Sequence, residues 1–283
     1  MSDWHDGLLD AAQAKWVAAR VPDPVLVRDM SWGLVETTVL HVRSDSDELV
    51  VKAAGATDTH LPREITAHSG WTAPLVTADR TARMRDASRE HRVLLFDFLP
   101  GELVLGTDAE WMPDTYVQAG ALLHQLHEQT QLMDAEYETR ATAKALYWLD
   151  QPHRVDGAVA DHARRVLKAA PAPEVSLVPT HGDWHPRNWL HDEGALRAID
   201  FGRFALRPAL TDLTRLAAQQ WRDRPELEAA FFEGYGPDPR DPELWRLDAL
   251  RQAVGTACWA YKVGDEAFEQ QGHRMLAEAL AAY

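Results

Sequence analysis

Three residues in the second half of the chain have the types and spacing for work on a phosphate group: Asp183, Asn188 five residues later, and Asp200. All lie in the stretch VPTHGDWHPRNWLHDEGALRAIDFGRFALRPALTD, residues 178–212. Two strand-like runs, 176–179 and 195–199, are expected to be adjacent and to deliver them. The first ends in a polar loop carrying His181, Asp183, His185, Arg187 and Asn188, and the second runs into Asp200-Phe201-Gly202. Magnesium takes oxygen ligands and keeps few carboxylates when phosphate oxygens complete its shell, so one amide oxygen with one carboxylate suits a metal that arrives on a nucleotide. The other carboxylate is then available to accept the proton of a hydroxyl, the division of labour that phosphoryl transfer requires.

Other readings of the same residues stand beside this one. His181 and His185 with Asp183 have the chemistry of a zinc or dinuclear metal site. No comparable His and Asp cluster follows downstream, however, and Asn188 would have no part in it. Asp200 taken alone reads as a turn residue at a strand end, with Gly202 supplying a positive φ. In company with Asp183 and Asn188 the catalytic reading is the better one. His185 reads as a loop or packing residue.

HGD, four residues, N, and then a strand ending in IDFG resembles the catalytic and metal loops of the aminoglycoside phosphotransferase family, which correspond in role to the HRD-x4-N and DFG loops of protein kinases. The resemblance implies an α+β, two-lobed, protein-kinase-like fold. Residues 1–99 would form an N-terminal nucleotide-binding lobe, an antiparallel sheet plus a helix, and 100–283 a larger, mainly helical lobe for catalysis and substrate. It implies ATP or GTP and Mg2+ as cofactors, Asp183 as the base, Asn188 and Asp200 as metal ligands, and His181 as the residue orienting the loop. Lys52, at the end of an alternating strand, is implied to meet the α and β phosphates and to pair with Glu64 of LPREITAHSGW on the next helix.

The same resemblance puts Ser31 and Gly33, by position only, in a turn over the phosphates. That turn is poor in glycine, and neither GxGxxG nor a Walker sequence occurs anywhere. The backbone at Asp97, Phe98 and Leu99, ahead of a Pro100-Gly101 hinge, is implied to meet the base edge. GALLHQLHE resembles the family's G-x-x-L-x-x-L-H helix, whose His127 braces the catalytic loop, and Asp212 takes the structural D-L position. Arg187 reads as a surface or packing residue, with charge stabilisation as its alternative. The implied reaction is phosphorylation of a small-molecule hydroxyl. The leading acceptor is a cationic antibiotic, an aminoglycoside or a basic cyclic peptide. A metabolic kinase for choline, a sugar or an amino alcohol is the second reading, and a non-catalytic nucleotide-binding module the third.

Composition agrees with an enzyme of one or two lobes. A net charge of −15 makes nucleic acid and anionic membranes poor partners and a cationic small molecule a better one. No run is long enough for a membrane span, MSDWHDGLLD is too acidic for a signal peptide, and Cys258 stands alone. A cytoplasmic location is therefore expected. Hydrophobic periodicity predicts helices at 3–20, 115–128, 153–170, 225–235, 241–263 and 265–282. Strands are expected at 25–29, 36–42, 48–54, 73–77 and 91–99, with TADRTARMRDASRE as a charged turn. In the resemblance an acidic cleft from the last three helices grips the ammonium groups of a substrate, which Glu226, Glu228, Glu233, Asp265, Glu266 and Glu269 would supply. For any single one of them an ordinary solvated acidic face is the better reading.

Overall fold

The computed structural model describes residues 4–32, 37–45 and 47–283 of the 283-residue chain. In chain order the strands are β1 (Val25–Asp29), β2 (Thr37–Ser44), β3 (Asp47–Ala54), β4 (Met84–Ser88), β5 (Val93–Asp97), β6 (Glu102–Leu103), β7 (Leu132–Asp134), β8 (Val175–Thr180), β9 (Trp189–Asp192), β10 (Ala195–Ala198) and β11 (Ala205–Arg207). The helices are α1 (Ala11–Ala18), α2 (Leu61–Thr66), α3 (Ala73–Thr77), α4 (Pro113–His127), α5 (Tyr137–Leu149), α6 (Gly157–Ala169), α7 (Thr214–Ala218), α8 (Pro225–Tyr235), α9 (Pro242–Val263) and α10 (Glu266–Leu280). A π-helical turn, Ala67–Trp71, follows α2.

The chain forms two compact units, one of Met1–Gln129, His181–Ala205 and Ala229–Gly236, the other of Thr130–Thr180, Leu206–Glu228 and Pro237–Tyr283. The first is built on an antiparallel sheet in the order β1-β2-β3-β5-β4. Alternation along β3 sends Leu49, Val51 and Ala53 into a core with Trp16 and Val17 of α1. The period of two therefore turns Val50, Lys52 and Ala54 to the other face, where Leu61 and Ile65 of α2 pack with Leu94 and Phe96. That alternation is what places a lysine beside a helix. α1 begins at a capping box: Asp10 accepts from the Ala12 and Gln13 N–H groups at 2.8 Å each, and Gln13 Oε1 accepts from the Asp10 N–H at 3.1 Å.

A small sheet, β10-β9-β6, belongs to the same unit. There α4 also meets the end of α8 at two glycines. A Cβ on Gly120 would come 2.1 Å from the Phe231 carbonyl oxygen, and one on Gly234 would come 1.9 Å from that of Val117. Only hydrogen at both positions lets the two backbones approach this closely. His127 then reaches Tyr235 Oη at 2.9 Å.

The second unit carries the sheet β11-β8-β7 and a core of Leu149, Leu167, Leu247, Leu250, Val254 and Leu276 among its helices. α9 is capped by Asp241 at its start, and Gly264, at φ +76°, ends it in the left-handed conformation. Truncating one such core leucine to alanine costs about 2–5 kcal/mol.

Several expectations are corrected. Residues 73–77 form the short helix α3 rather than a strand, with Pro74 in its first turn. The edge strand β4 comes instead from within the charged stretch, where no residue is fully buried and hydrophobic patterning is weak. α5 was not anticipated, and α1 starts only after its Asp10 cap. The runs flanking the catalytic loop are not neighbours, because β8 pairs in one sheet and β10 in another. The β9–β10 hairpin joins the two loops instead, with the Ile199 N–H donating to the Asn188 carbonyl at 3.0 Å. Among the described residues no helix is long and apolar enough to cross a membrane.

Candidate active site

The site is assembled within the first unit. Lys52 Nζ lies 2.5 Å from Glu64 Oε2 and 2.8 Å from Asp200 Oδ1. Burial works against the Lys52 charge, but the Asp200 and Glu64 carboxylates outweigh it and hold the ammonium above its ordinary range. For Glu64, burial is the larger influence and pushes the carboxyl up in spite of Lys52. Asp200 resolves the other way: burial opposes its charge, yet the attraction and hydrogen bond of Lys52 bring it down to about 2. Its side chain remains 47% exposed, so a firmly ionised carboxylate faces solvent.

Asp200 sits at φ +63°, a region L side chains seldom adopt and Asp and Asn tolerate best. The positive φ expected at Gly202 is therefore found at Asp200. Space at Gly202 is tight instead: a Cβ there would come 3.1 Å from Asp200 Oδ1 and from His60 Cβ, so one of these side chains would have to give way slightly. Such strain in a backbone persists where surroundings over-determine it, commonly at functional sites. Behind it, Phe201 packs edge-on to His68 at 5.2 Å and against His181 at 4.6 Å between ring centroids. Burial, with Lys52 and His181 nearby, pushes His68 down to about 3, so its imidazole is neutral.

The loop after β8 is fastened by its own side chains. His181 Nδ1 accepts the Asp183 backbone N–H at 3.2 Å, so the ring hydrogen is on Nε2, which donates to the Ile199 carbonyl at 3.0 Å. One imidazole thus ties the Asp183 loop to the residue before Asp200. Asn188 Nδ2 donates to the Asp183 carbonyl at 2.8 Å. Asp183 itself is only 4% exposed. Arg187 Nη2 donates to its Oδ2 at 3.1 Å, His185 Nε2 stands 3.5 Å from Oδ1, and Arg203 Nε lies 3.8 Å from Oδ2.

Of the remaining expected residues, Ser31 is in the turn after β1, with its N–H donating to Asp29 Oδ1 and its hydroxyl accepting from the Val39 N–H, both at 2.9 Å. Gly33 lies outside the described residues. Asp97 pairs through its side chain with Arg85, and the Asp97 and Phe98 N–H groups donate to the Arg83 and Glu48 carbonyls at 3.0 and 2.9 Å. A base edge at this segment would have to be met by other atoms, such as those of Leu99. Two donors suit magnesium here: the Asp200 carboxylate, and Asn188 Oδ1, whose amide partner is already committed to the loop. Among the described residues no three His, Cys, Asp or Glu side chains converge as a self-contained metal site. Two oxygen donors fit a cation whose other ligands come with phosphate.

A family model described as phosphotransferase enzyme family matches residues 35–247, most of the chain. The chain belongs to the phosphotransferase enzyme family. No curated protein sequence matched it. Among solved structures it resembles choline kinase LicA from Streptococcus pneumoniae, at 14% identity and TM-score 0.65, covering 96% of this chain and 98% of that one. Macrolide 2'-phosphotransferase MphH from Brachybacterium faecium gives 16% identity and TM-score 0.57, covering 92% and 95%. A thermostable mutant of aminoglycoside phosphotransferase APH(4)-Ia, in ternary complex with AMP-PNP and hygromycin B, gives 14% and 0.69, covering 94% and 97%. The fold is accordingly the kinase-like α+β fold, an N-terminal antiparallel sheet with helices followed by a larger helical part.

Within this phosphotransferase, sequence reasoning missed His68 and undervalued Arg187, which reaches Asp183 and whose Cζ stands 5.2 Å from the centroid of the Trp32 ring. The acidic residues expected to grip a cation are largely engaged already. Glu226 pairs with Arg224 at 2.5 Å, Glu228 with Arg240 at 2.7 Å, and Glu269 with Arg154 at 2.6 Å, while Asp265 caps α10 by accepting from the Phe268 N–H at 3.0 Å.

Proposed function

We propose that this phosphotransferase moves the γ-phosphate of ATP, or GTP, to a hydroxyl of a small molecule, with Asp183 as base. The observation that supports it most is the Lys52 ammonium shared between Glu64 and Asp200, since phosphoryl transfer is catalysed by positioned charge more than by covalent chemistry. Lys52 would hold the α and β phosphates, and Asn188 and Asp200 would hold magnesium. When bound, that metal neutralises charge on the phosphates. Asp183 accepts the hydroxyl proton, and His181 keeps its loop in register with Asp200. In this reading residues 1–99 bind the nucleotide and 100–283 supply catalysis and the acceptor site, in a cytoplasmic enzyme with access to ATP.

A hydroxylated antibiotic is the leading acceptor, by likeness to the neighbour bound to hygromycin B and to a spectinomycin phosphotransferase solved with ADP and spectinomycin. A second reading, a kinase for a small amino alcohol, is supported by the choline kinase neighbour and by the arginine-paired acidic side chains, which suit an acceptor with few cationic centres. Incubating purified protein with magnesium and ATP or GTP against hygromycin B, spectinomycin, a macrolide and choline, with mass spectrometry of each acceptor, tests both. A phosphate mass gain on one acceptor is expected. Absence of nucleotide binding and of any product would overturn the reading.

A further inference from the structure

We infer that Arg187 is a further catalytic residue, whose guanidinium stabilises the phosphoryl group during transfer. The inference rests on the reading above, because it takes the turn carrying Trp32 to lie over the nucleotide phosphates. Arg187 belongs to a single turn, Pro186–Asn188, whose backbone is held on both sides. Pro186 has a fixed φ, the Asn188 N–H donates to the His185 carbonyl at 2.9 Å, and the Asn188 side chain holds the Asp183 carbonyl. Only the long arginine side chain is left to move, and it is 34% exposed.

That side chain spans two anchors. Its Nη2 touches the base at Asp183 Oδ2, and its Cζ lies 5.2 Å from the centroid of Trp32, itself 51% exposed. A guanidinium on an aromatic face is held by the ring quadrupole while its N–H edges stay available for oxygen acceptors. The transferred group must pass between the nucleotide and the hydroxyl held at Asp183, which is the gap Arg187 bridges. An arginine that remained on the base throughout would oppose proton acceptance. One that passes to the phosphoryl oxygens frees Oδ2 and supplies charge where it develops, with bidentate geometry.

In the step, the acceptor oxygen forms a bond to the γ-phosphorus and the bond to the β–γ bridging oxygen breaks. The hydroxyl proton goes to Asp183, and ADP leaves. Arg187 donates hydrogen bonds and exchanges no proton.

The test uses the whole chain with magnesium, ADP and aluminium fluoride, a mimic of the transferring group that needs no identified acceptor, measured by isothermal titration calorimetry. Wild type should bind ADP more tightly with the fluoride present. R187A should lose about tenfold or more of that gain while its affinity for ADP alone stays within about threefold, and its kcat should fall roughly 10²–10³-fold, the range for one lost transition-state donor. R187K should recover part of both, W32F should resemble wild type, and W32A should lie between. Should R187A fold poorly, as judged by its melting temperature, R187Q carries the same test. Retention of the fluoride enhancement in R187A or R187Q, or a change confined to the KM of the acceptor, would overturn the role. Wild type that binds neither ATP nor ADP would instead overturn the proposed function itself.

Discussion

A buried cation beside two carboxylates occurs in each compact unit, with opposite results for the second carboxylate. In the first, Lys52 lies between Glu64 and Asp200, and Asp200, half open to solvent on a left-handed backbone, is held at about 2. In the second, the two Nη groups of Arg251 are engaged by its neighbours. It donates to Glu138 Oε2 and to Thr142 Oγ1, both at 2.6 Å, and to the Glu138 carbonyl at 3.1 Å. The remaining carboxylate, Asp248, is buried, and burial pushes it up to about 6 despite Arg251. Equal charge counts thus yield a carboxylate that stays ionised far into acid where it is open to solvent, and one that keeps its proton up to about pH 6 where it is enclosed. The carboxylate left open to solvent is available for chemistry, whereas those enclosed with Arg251 serve packing.

Breaking the two clusters should therefore differ in its effect on turnover. The largest effect is expected at the base: Asp183→Asn should lower turnover by roughly 10²–10⁴-fold while nucleotide affinity, read by calorimetry, is retained. Unchanged turnover would remove Asp183 from its role. In the closed cluster, Arg251→Met leaves Glu138 buried without its partner and should cost about 3–5 kcal/mol in urea unfolding. Lys52→Met also leaves a buried carboxylate, Glu64, without its cation and should lower stability too, but unlike Arg251→Met it should act on turnover. If both substitutions moved stability alone, the contrast between the units would fail.

Smaller effects sharpen the comparison through pH. Asp248 titrates near 6 in the folded chain against an ordinary 3.8, so the unfolded chain loses its proton first. Stability from this group falls as pH rises from about 4 to about 6 and stays low above. Asp248→Asn should thus stabilise the protein at pH 7 by about 1–3 kcal/mol, and have little such benefit near pH 4. His68 runs in the reverse direction. Its folded value of about 3 lies below the ordinary 6.5, so the stability it contributes is present above 6.5 and is lost as pH falls towards 3. His68→Gln should flatten that loss, by about 1–2 kcal/mol at pH 5.

Much of the site was legible because its chemistry is written in short segments. HGD-x4-N and IDFG carry residue types that few structural roles require together, and the resemblance they carry pointed to Lys52 at the end of an alternating strand and to Glu64 on the next helix. Contacts set by tertiary structure were not legible. Trp32 meets Arg187 from a distant turn, His68 gains its importance only by packing on Phe201, and the strained φ belongs to Asp200 rather than to the glycine beside it. The fold was misread where burial is slight or runs are short. β4, in a charged stretch, lacks fully buried residues, and a five-residue apolar run such as 73–77 fits a strand or a helix until its neighbours decide.

The glycine contact between α4 and α8 has a consequence for how the protein is made. The segment Ala229–Gly236 belongs to the first unit, yet it is synthesised after almost all of the residues that flank the site, and after part of the second unit. The site-bearing unit is therefore complete only once the ribosome has released Gly236. A nascent chain arrested before that point leaves the face of α4 around Gly120 without the helix that covers it.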